Sequence, residues 1–301
     1  MPVRPLLATL AVLAAAPALA VDPVEGGGLA DFTGPRTLAL GGATGVVSGN
    51  DGLFVNPAAV AARRRYSVET LFGVDRRGGA NAGKYAGGSV VDALSSPVTA
   101  SFAWVRPLEG FQGGNLFVGG LAGPVASRLY LGAQARYLAL RQDPAVPGGP
   151  VERINLITAD AGLLWEVSDH VTLGVSGFNL VPTGHERAAP RSAGAGLSVG
   201  SDTSVKVTAD WRADFDRARD AAGRARTTNR FGAGVEVLLA DMLPLRAGYQ
   251  KDETLGTSWW CAGAGLVAPN GVAVDLGYKQ SLEDPNVRVI ALAFKVQFLE
   301  L

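Results

Sequence analysis

Cysteine is almost absent from this 301-residue chain. Cys261 stands alone, so no internal disulfide can form, and its apolar neighbours make it read as a small inert hydrophobe. Histidine is nearly as scarce. His170 follows Asp169 in an expected turn and His185 lies beside Glu186 in a polar connector, so neither has the arrangement that a hydrolytic site on a barrel wall needs. Two separated histidines without cysteine make no metal site. No catalytic residue, metal or cofactor is implied. Neither charge is in excess: Lys plus Arg and Asp plus Glu number 27 each, which implies no polyanion surface and no nucleic-acid partner. Beyond the first twenty residues no apolar run approaches the roughly 18 to 20 that a membrane-spanning helix requires. Gly263-Ala264-Gly265 falls inside a strand pattern rather than between a strand and a helix, so a phosphate loop is excluded as well.

What is present begins with Arg4, an apolar stretch from Pro5 to Leu13 and small residues ending Ala18-Leu19-Ala20. This reads as a cleaved signal peptide over 1–20, and the chain is expected to be exported. Residues 21–64 lack a regular period: Gly26 to Gly28, Gly34, Gly41, Gly42, Gly45, Asn50-Asp51-Gly52 and Asn56-Pro57 make a compact, turn-rich segment. Glycine is abundant, 40 residues in all, and most of it is dispersed through patterned stretches, which suits strands whose backbones approach each other or an inserted segment.

From residue 65 to the end, about fourteen segments alternate between polar and apolar residues. They are expected at 65–74, 84–94, 98–106, 114–122, 127–140, 152–167, 170–180, 191–200, 203–214, 227–239, 243–251, 256–268, 271–281 and 286–298. One set of connectors is short, such as Ser168-Asp169 and Pro269-Asn270. The alternate set is longer and richer in charge, Gly and Pro: 76–83, 107–113, 141–151, 181–190 and 215–226. Alternation, an even strand count and alternating connector lengths predict an all-β fold, a closed antiparallel transmembrane β-barrel over 65–301. The short turns would lie at the periplasmic rim.

Period two assigns the faces. Val205, Val207, Ala209 and Trp211 share one side of their strand, while Lys206, Thr208, Asp210, Arg212 and Asp214 share the other. Facing lipid with the apolar side, the chain would carry an aromatic girdle of Trp104, Trp165, Trp211, Tyr137, Tyr249 and Tyr278. The opposite face would place Arg136, Asp160, Lys206, Asp210, Arg212, Glu236, Arg246 and Asp275 in the lumen. Their signs are mixed, so they are expected to form a structural ionic network rather than a selective pore.

The run Gly34 to Ala43, then Ser48-Gly49-Asn50-Asp51, then Val55-Asn56-Pro57-Ala58-Ala59-Val60 and a strand starting at Tyr66 resembles the N-terminal plug and first strand of FadL-type and PorV-type outer-membrane proteins. Later strand ends, such as Leu245-Arg246-Ala247-Gly248-Tyr249, resemble the PorV-like branch. The resemblance implies a fourteen-stranded barrel closed by an N-terminal hatch over 21–64, with Gly41, Gly42, Asp51, Asn56, Pro57 and Ala58 as the plug motif. The FadL-like reading implies passage of small hydrophobic compounds across the outer membrane. The PorV-like alternative implies a non-transporting scaffold for a secretion or envelope-assembly protein. Short outer loops and a charged lumen set the chain apart from fatty-acid transporters. The expected partners are outer-membrane lipid and either a small hydrophobic ligand or a secretion-system protein.

Overall fold

The computed structural model describes residues 31–43, 46, 49–76, 83–109, 112–142, 152–186 and 188–299. The signal peptide expected over 1–20, the plug residues before 31 and most of the connectors expected at 76–83 and 141–151 lie outside the described residues.

Among the described residues, fourteen strands follow one another around a closed antiparallel barrel. They are β1 (Arg65–Asp75), β2 (Gly83–Asp92), β3 (Thr99–Glu109), β4 (Gln112–Ala126), β5 (Leu129–Gln142), β6 (Glu152–Glu166), β7 (Val171–Phe178), β8 (Ser192–Gly200), β9 (Val205–Arg219), β10 (Ala225–Leu239), β11 (Leu243–Asp252), β12 (Thr257–Val267), β13 (Val272–Ser281) and β14 (Arg288–Leu299). Each pairs with its neighbours in sequence. β1 closes on β14 in a register that runs from Arg65 opposite Leu299 to Asp75 opposite Val289. Closure gives every strand a partner on both sides, which a barrel in hydrocarbon requires because no water is there to satisfy free backbone groups.

The outer surface is apolar. Phe72, Phe102, Leu121, Ile157, Val175, Val207, Phe231, Leu276 and Leu292 are all exposed on it. Trp104, Tyr137 and Trp211 also face outward, and each gives its polar tip to an asparagine on a neighbouring strand. Trp104 Nε1 donates to Asn115 at 2.9 Å, Tyr137 OH to Asn155 at 3.3 Å and Trp211 Nε1 to Asn229 at 3.0 Å. An aromatic with an apolar body and a satisfied polar end suits the boundary between lipid and water.

Two connectors expected to be long are short. β3 runs to Glu109 and β4 begins at Gln112, while β9 runs to Arg219 and β10 begins at Ala225. Crossing hydrocarbon takes about 9 to 11 tilted residues, whereas β4, β6, β9 and β10 have 15 each. Ladder pairing therefore continues past the apolar band through charged sequence, where composition alone suggests a loop.

Among the described residues the ladder between β6 and β7 is incomplete. β7 has only eight residues and pairs with β6 over Ala161–Glu166, so the outer half of β6 has no β7 partner. Asn179, at φ 53°, turns the chain out of the strand. The connector that follows still touches β6: Leu180 N donates to Ala159 O at 2.8 Å and Thr158 Oγ1 to Val181 O at 3.1 Å.

The described residues between 31 and 62 lie inside the barrel. Helix α1 (Pro35–Ala39) packs against β11 to β14, while helix α2 (Gly52–Val55) and the 3-10 helix Pro57–Ala61 pack against the β3 to β6 side. Its backbone lies directly on the wall. A Cβ added to Gly234 or Gly248 would come within 2.6 Å of Leu40 backbone atoms, so side chains there would push the segment off.

Candidate functional site

The lumen and the segment that fills it form the candidate site. Gly41 turns the segment after α1 at φ 79° with its Cα against the Tyr249 and Ala233 carbonyls, a conformation and a clearance that only glycine accepts. Gly42 follows at φ 94° beside Gln250. Asp51 does not cap its own helix. Its carboxylate reaches back to α1, accepting from Thr37 N at 2.9 Å and Thr37 Oγ1 at 3.0 Å. Asn56 caps the 3-10 helix by accepting from Ala58 N at 3.0 Å, and its Nδ2 donates to Leu163 O of β6 at 3.1 Å. Pro57 opens that helix against Gly132 of β5, and Ala58 is fully buried beside Ala59 and Leu164.

Ion pairs tie the segment to the wall at both ends of the barrel. Toward the short-turn rim, Arg36 donates to Glu236 of β10 at 2.9 and 2.6 Å and reaches Asp202, in the turn between β8 and β9, at 3.2 Å. Arg63 pairs with Glu166 at 2.5 Å. Toward the other rim, Asp31 is surrounded by guanidinium groups: Arg217 pairs with it directly, Arg230 stands at 3.3 Å and Arg212 at 3.9 Å. Burial alone would raise the Asp31 carboxyl, but these three cations hold it well below the usual carboxylate range. Asp202 is lowered too, because Arg36 and Lys206 outweigh its desolvation. Glu236 and Asp202 in turn hold Arg36 firmly protonated against the burial that opposes it.

The eight lumenal residues read from the sequence are distributed over three clusters. Lys206 pairs with Asp202, and through Arg36 and Glu236 this chain of charges continues to Arg246, which pairs with Glu236 and with Asp275 at 2.6 Å. Arg212 belongs to the Asp31 group and also stands over the Phe178 ring at 4.5 Å. Asp210 lines a small cavity of about 50 Å³ there, with Asp31, Arg230 and Gln250. Arg136 and Asp160 form a separate buried pair, in which Asp160 also accepts from Gln134 at 2.6 Å and from Asn179 N at 2.8 Å.

The charged lumen expected from the sequence is only half of what the barrel encloses. Against β1 to β6 lies an apolar cluster beside the Arg136–Asp160 pair: Leu71, Val91, Val105, Leu116, Val118, Leu138, Leu140, Ile154 and Leu156 are buried there with Leu53, Phe54 and Val55 of the internal segment. Phe32 sits among them, edge-on to Phe54 at 4.7 Å and to Tyr85 at 5.0 Å between ring centroids. Period-two reading passed over this sector because β4, β5 and β6 carry apolar residues on both faces. On β5, Leu131 and Tyr137 face out while Leu138 and Leu140 face in. Arg36, Asp31 and Arg63 were passed over for another reason, since their partners are remote in sequence and nothing local marks them.

No protein-family model matches the chain, and no curated protein matches it in sequence. Solved structures match it in architecture. The toluene transporter TbuX of Ralstonia pickettii superposes with a TM-score of 0.63 at 15% identity, covering 90% of this chain and 99% of that one. The monoaromatic hydrocarbon channel CymD gives 0.65 at 14% identity, covering 91% and 100%. The chain has their fold. A FadL homologue of Pseudomonas aeruginosa is similar as well, with a TM-score of 0.59, 14% identity and coverage of 88% and 97%. The FadL-like architecture suspected from the Gly34–Val60 run is thus the observed one, a closed fourteen-stranded barrel. Both histidines are exposed on connectors, and among the described residues no group of His, Cys, Asp and Glu is placed to hold a metal.

Proposed function

We propose that this chain is an outer-membrane barrel that passes small hydrophobic compounds, with residues 31–64 as a hatch that must shift for passage. The observation that carries this reading is the apolar sector between the hatch and β1 to β6. A water-filled porin lines its channel with polar groups, whereas Phe32, Phe54, Tyr85 and the Leu, Ile and Val residues around them form a packed apolar sector that would become a dry route for a hydrocarbon once the hatch shifts. The ionic sector on the opposite wall anchors the hatch through Arg36 and Asp31, so it positions the closure without lining the route. The solved structures of similar fold, described as toluene transporters and a monoaromatic hydrocarbon channel, support the same cargo class.

Uptake of radiolabelled toluene by cells producing the protein tests the proposal. Uptake above that of cells with an empty outer membrane, lost when Phe54 and Leu116 are both changed to Asp in a barrel that still folds, is expected. Uptake at background, together with a stoichiometric protein partner on purification from outer membranes, would instead establish the scaffold role.

A further inference from the structure

On three strands of the outer wall the exposed side chains change in the same order toward the rim that carries the β5–β6 connector. β3 presents Phe102, then Trp104, then Arg106; β5 presents Leu131, then Tyr137, then Arg141; β6 presents Ile157, then Asn155, then Arg153. Residues two apart share a face and stand about 7 Å apart along a strand. With strands tilted by roughly 40°, the arginine positions lie about 5 to 10 Å beyond the level of Trp104 and Tyr137. Apolar, interfacial and cationic groups in that sequence match the acyl chains, ester region and phosphate of a lipid lying against the wall.

These charges are not compensated by the protein. Arg141 and Arg153 stand directly opposite each other across the β5–β6 ladder, and like charges so placed repel. Arg106 is two strands from Arg141, roughly 10 Å. Among the described residues no side chain pairs with any of the three guanidinium groups. Arg128, Arg191 and Arg224 are exposed as well, yet each has a carboxylate: Asp169 at 2.7 Å, Asp216 at 2.6 Å and Asp220 at 2.9 Å. An exposed, self-repelling pair at headgroup height is stabilised by an anion that the membrane supplies, and the fork of a guanidinium matches phosphate oxygens. A bare phosphate ion would meet the same cations but leave the apolar wall below them unused, so the surface favours a lipid.

We propose that the outer face of β3 to β6 binds the phosphate of a membrane lipid, held between Arg141 and Arg153 with Arg106 beside them. This goes beyond the uptake reading and does not depend on it, since it uses the outer wall and neither the hatch nor the lumen.

The test is native mass spectrometry of the purified full-length protein in detergent, titrated with phosphatidic acid and, as control, phosphatidylcholine of the same acyl chains. Wild-type protein is expected to retain phosphatidic acid in preference. Arg141→Gln with Arg153→Gln should weaken phosphatidic acid by about tenfold or more. Heat-modifiable gel mobility reports whether the variant is folded. Where it is not, Arg153→Gln alone decides, because it too must weaken phosphatidic acid. Arg128→Gln, which removes an exposed but carboxylate-paired cation at the opposite rim, should leave the lipid bound as before. Sodium phosphate should displace the lipid no more than sodium chloride of equal ionic strength. Equal retention of the two lipids, undiminished binding by the folded variant, an equal loss in Arg128→Gln, or preferential displacement by inorganic phosphate would overturn the proposal.

Discussion

Gly162 of β6 and Asn56 of the hatch share one space: the Oδ1 of Asn56 occupies the position where a Cβ on Gly162 would stand. The same asparagine caps the 3-10 helix with that oxygen and holds the Leu163 carbonyl with its Nδ2. A single contact therefore sets both the shape of the hatch and its seat on the wall. Gly162→Ala is expected to displace the 3-10 helix while the barrel stays closed, at the roughly 1 to 3 kcal/mol typical of overpacking. Faster proteolysis within residues 31–64, with unchanged heat-modifiable mobility, is the expected readout.

Arg36 and Glu236 bind the hatch to β10 through two hydrogen bonds, with Glu236 nearly buried. Removing either partner should loosen the hatch, and removing both should cost less than the two losses added. A double-mutant cycle on Arg36→Ala and Glu236→Ala, read by the midpoint of denaturant unfolding, should give a coupling of about 0.5 to 3 kcal/mol. Strict additivity would show that the pair does not anchor the segment.

Acid should release the hatch. Asp31 and Asp202 have folded-state pKa values below the ordinary carboxylate value, so the stability they add is complete above about pH 4. It is lost as the pH falls from there through their lowered folded values. Between pH 8 and 5 neither carboxylate should change charge, so their hold on the segment should stay constant. Channel conductance in planar bilayers should stay low over that range and rise only on stronger acidification. An opening near pH 6 would point to other groups.

Asp160 is the most heavily engaged carboxylate of the β5–β6 wall, with Arg136, Gln134 and the Asn179 amide all donating to it. Asp160→Asn should leave the buried guanidinium of Arg136 without its counter-ion and destabilise the barrel by about 3 to 5 kcal/mol. The double change Arg136→Met with Asp160→Leu should recover much of that loss, since no charge is then left stranded. Urea unfolding followed by gel mobility measures both. If the double variant is the less stable of the two, the pair is not acting through its charge.

The barrel was legible because its evidence is local. Val207 facing out beside Lys206 and Thr208 facing in is a two-residue statement, and fourteen such segments with alternately short and long connectors imply closure. The ends of strands were less legible. Phe215 to Arg219 is charged enough to look like a loop, yet the strand continues through it, with Ala218 and Arg219 paired to Arg226 and Ala225 of β10 beyond a register shift. The apolar sector escaped because an inward leucine and an outward leucine look identical along β5 and β6, and what differs is the neighbour each meets.

The order of residues by itself settled which side chains share a face, hence that this chain makes strands with one apolar and one polar face after a glycine-rich leading segment, because side-chain direction in a strand depends only on position parity. Only the tertiary structure decided that Leu40 rests on Gly234 and Gly248 and that Arg36 meets Glu236. Those are relations between distant positions, created when β1 closes on β14 and encloses the segment. Burial and charge pairing are properties of that enclosed space, and no stretch of sequence carries them alone.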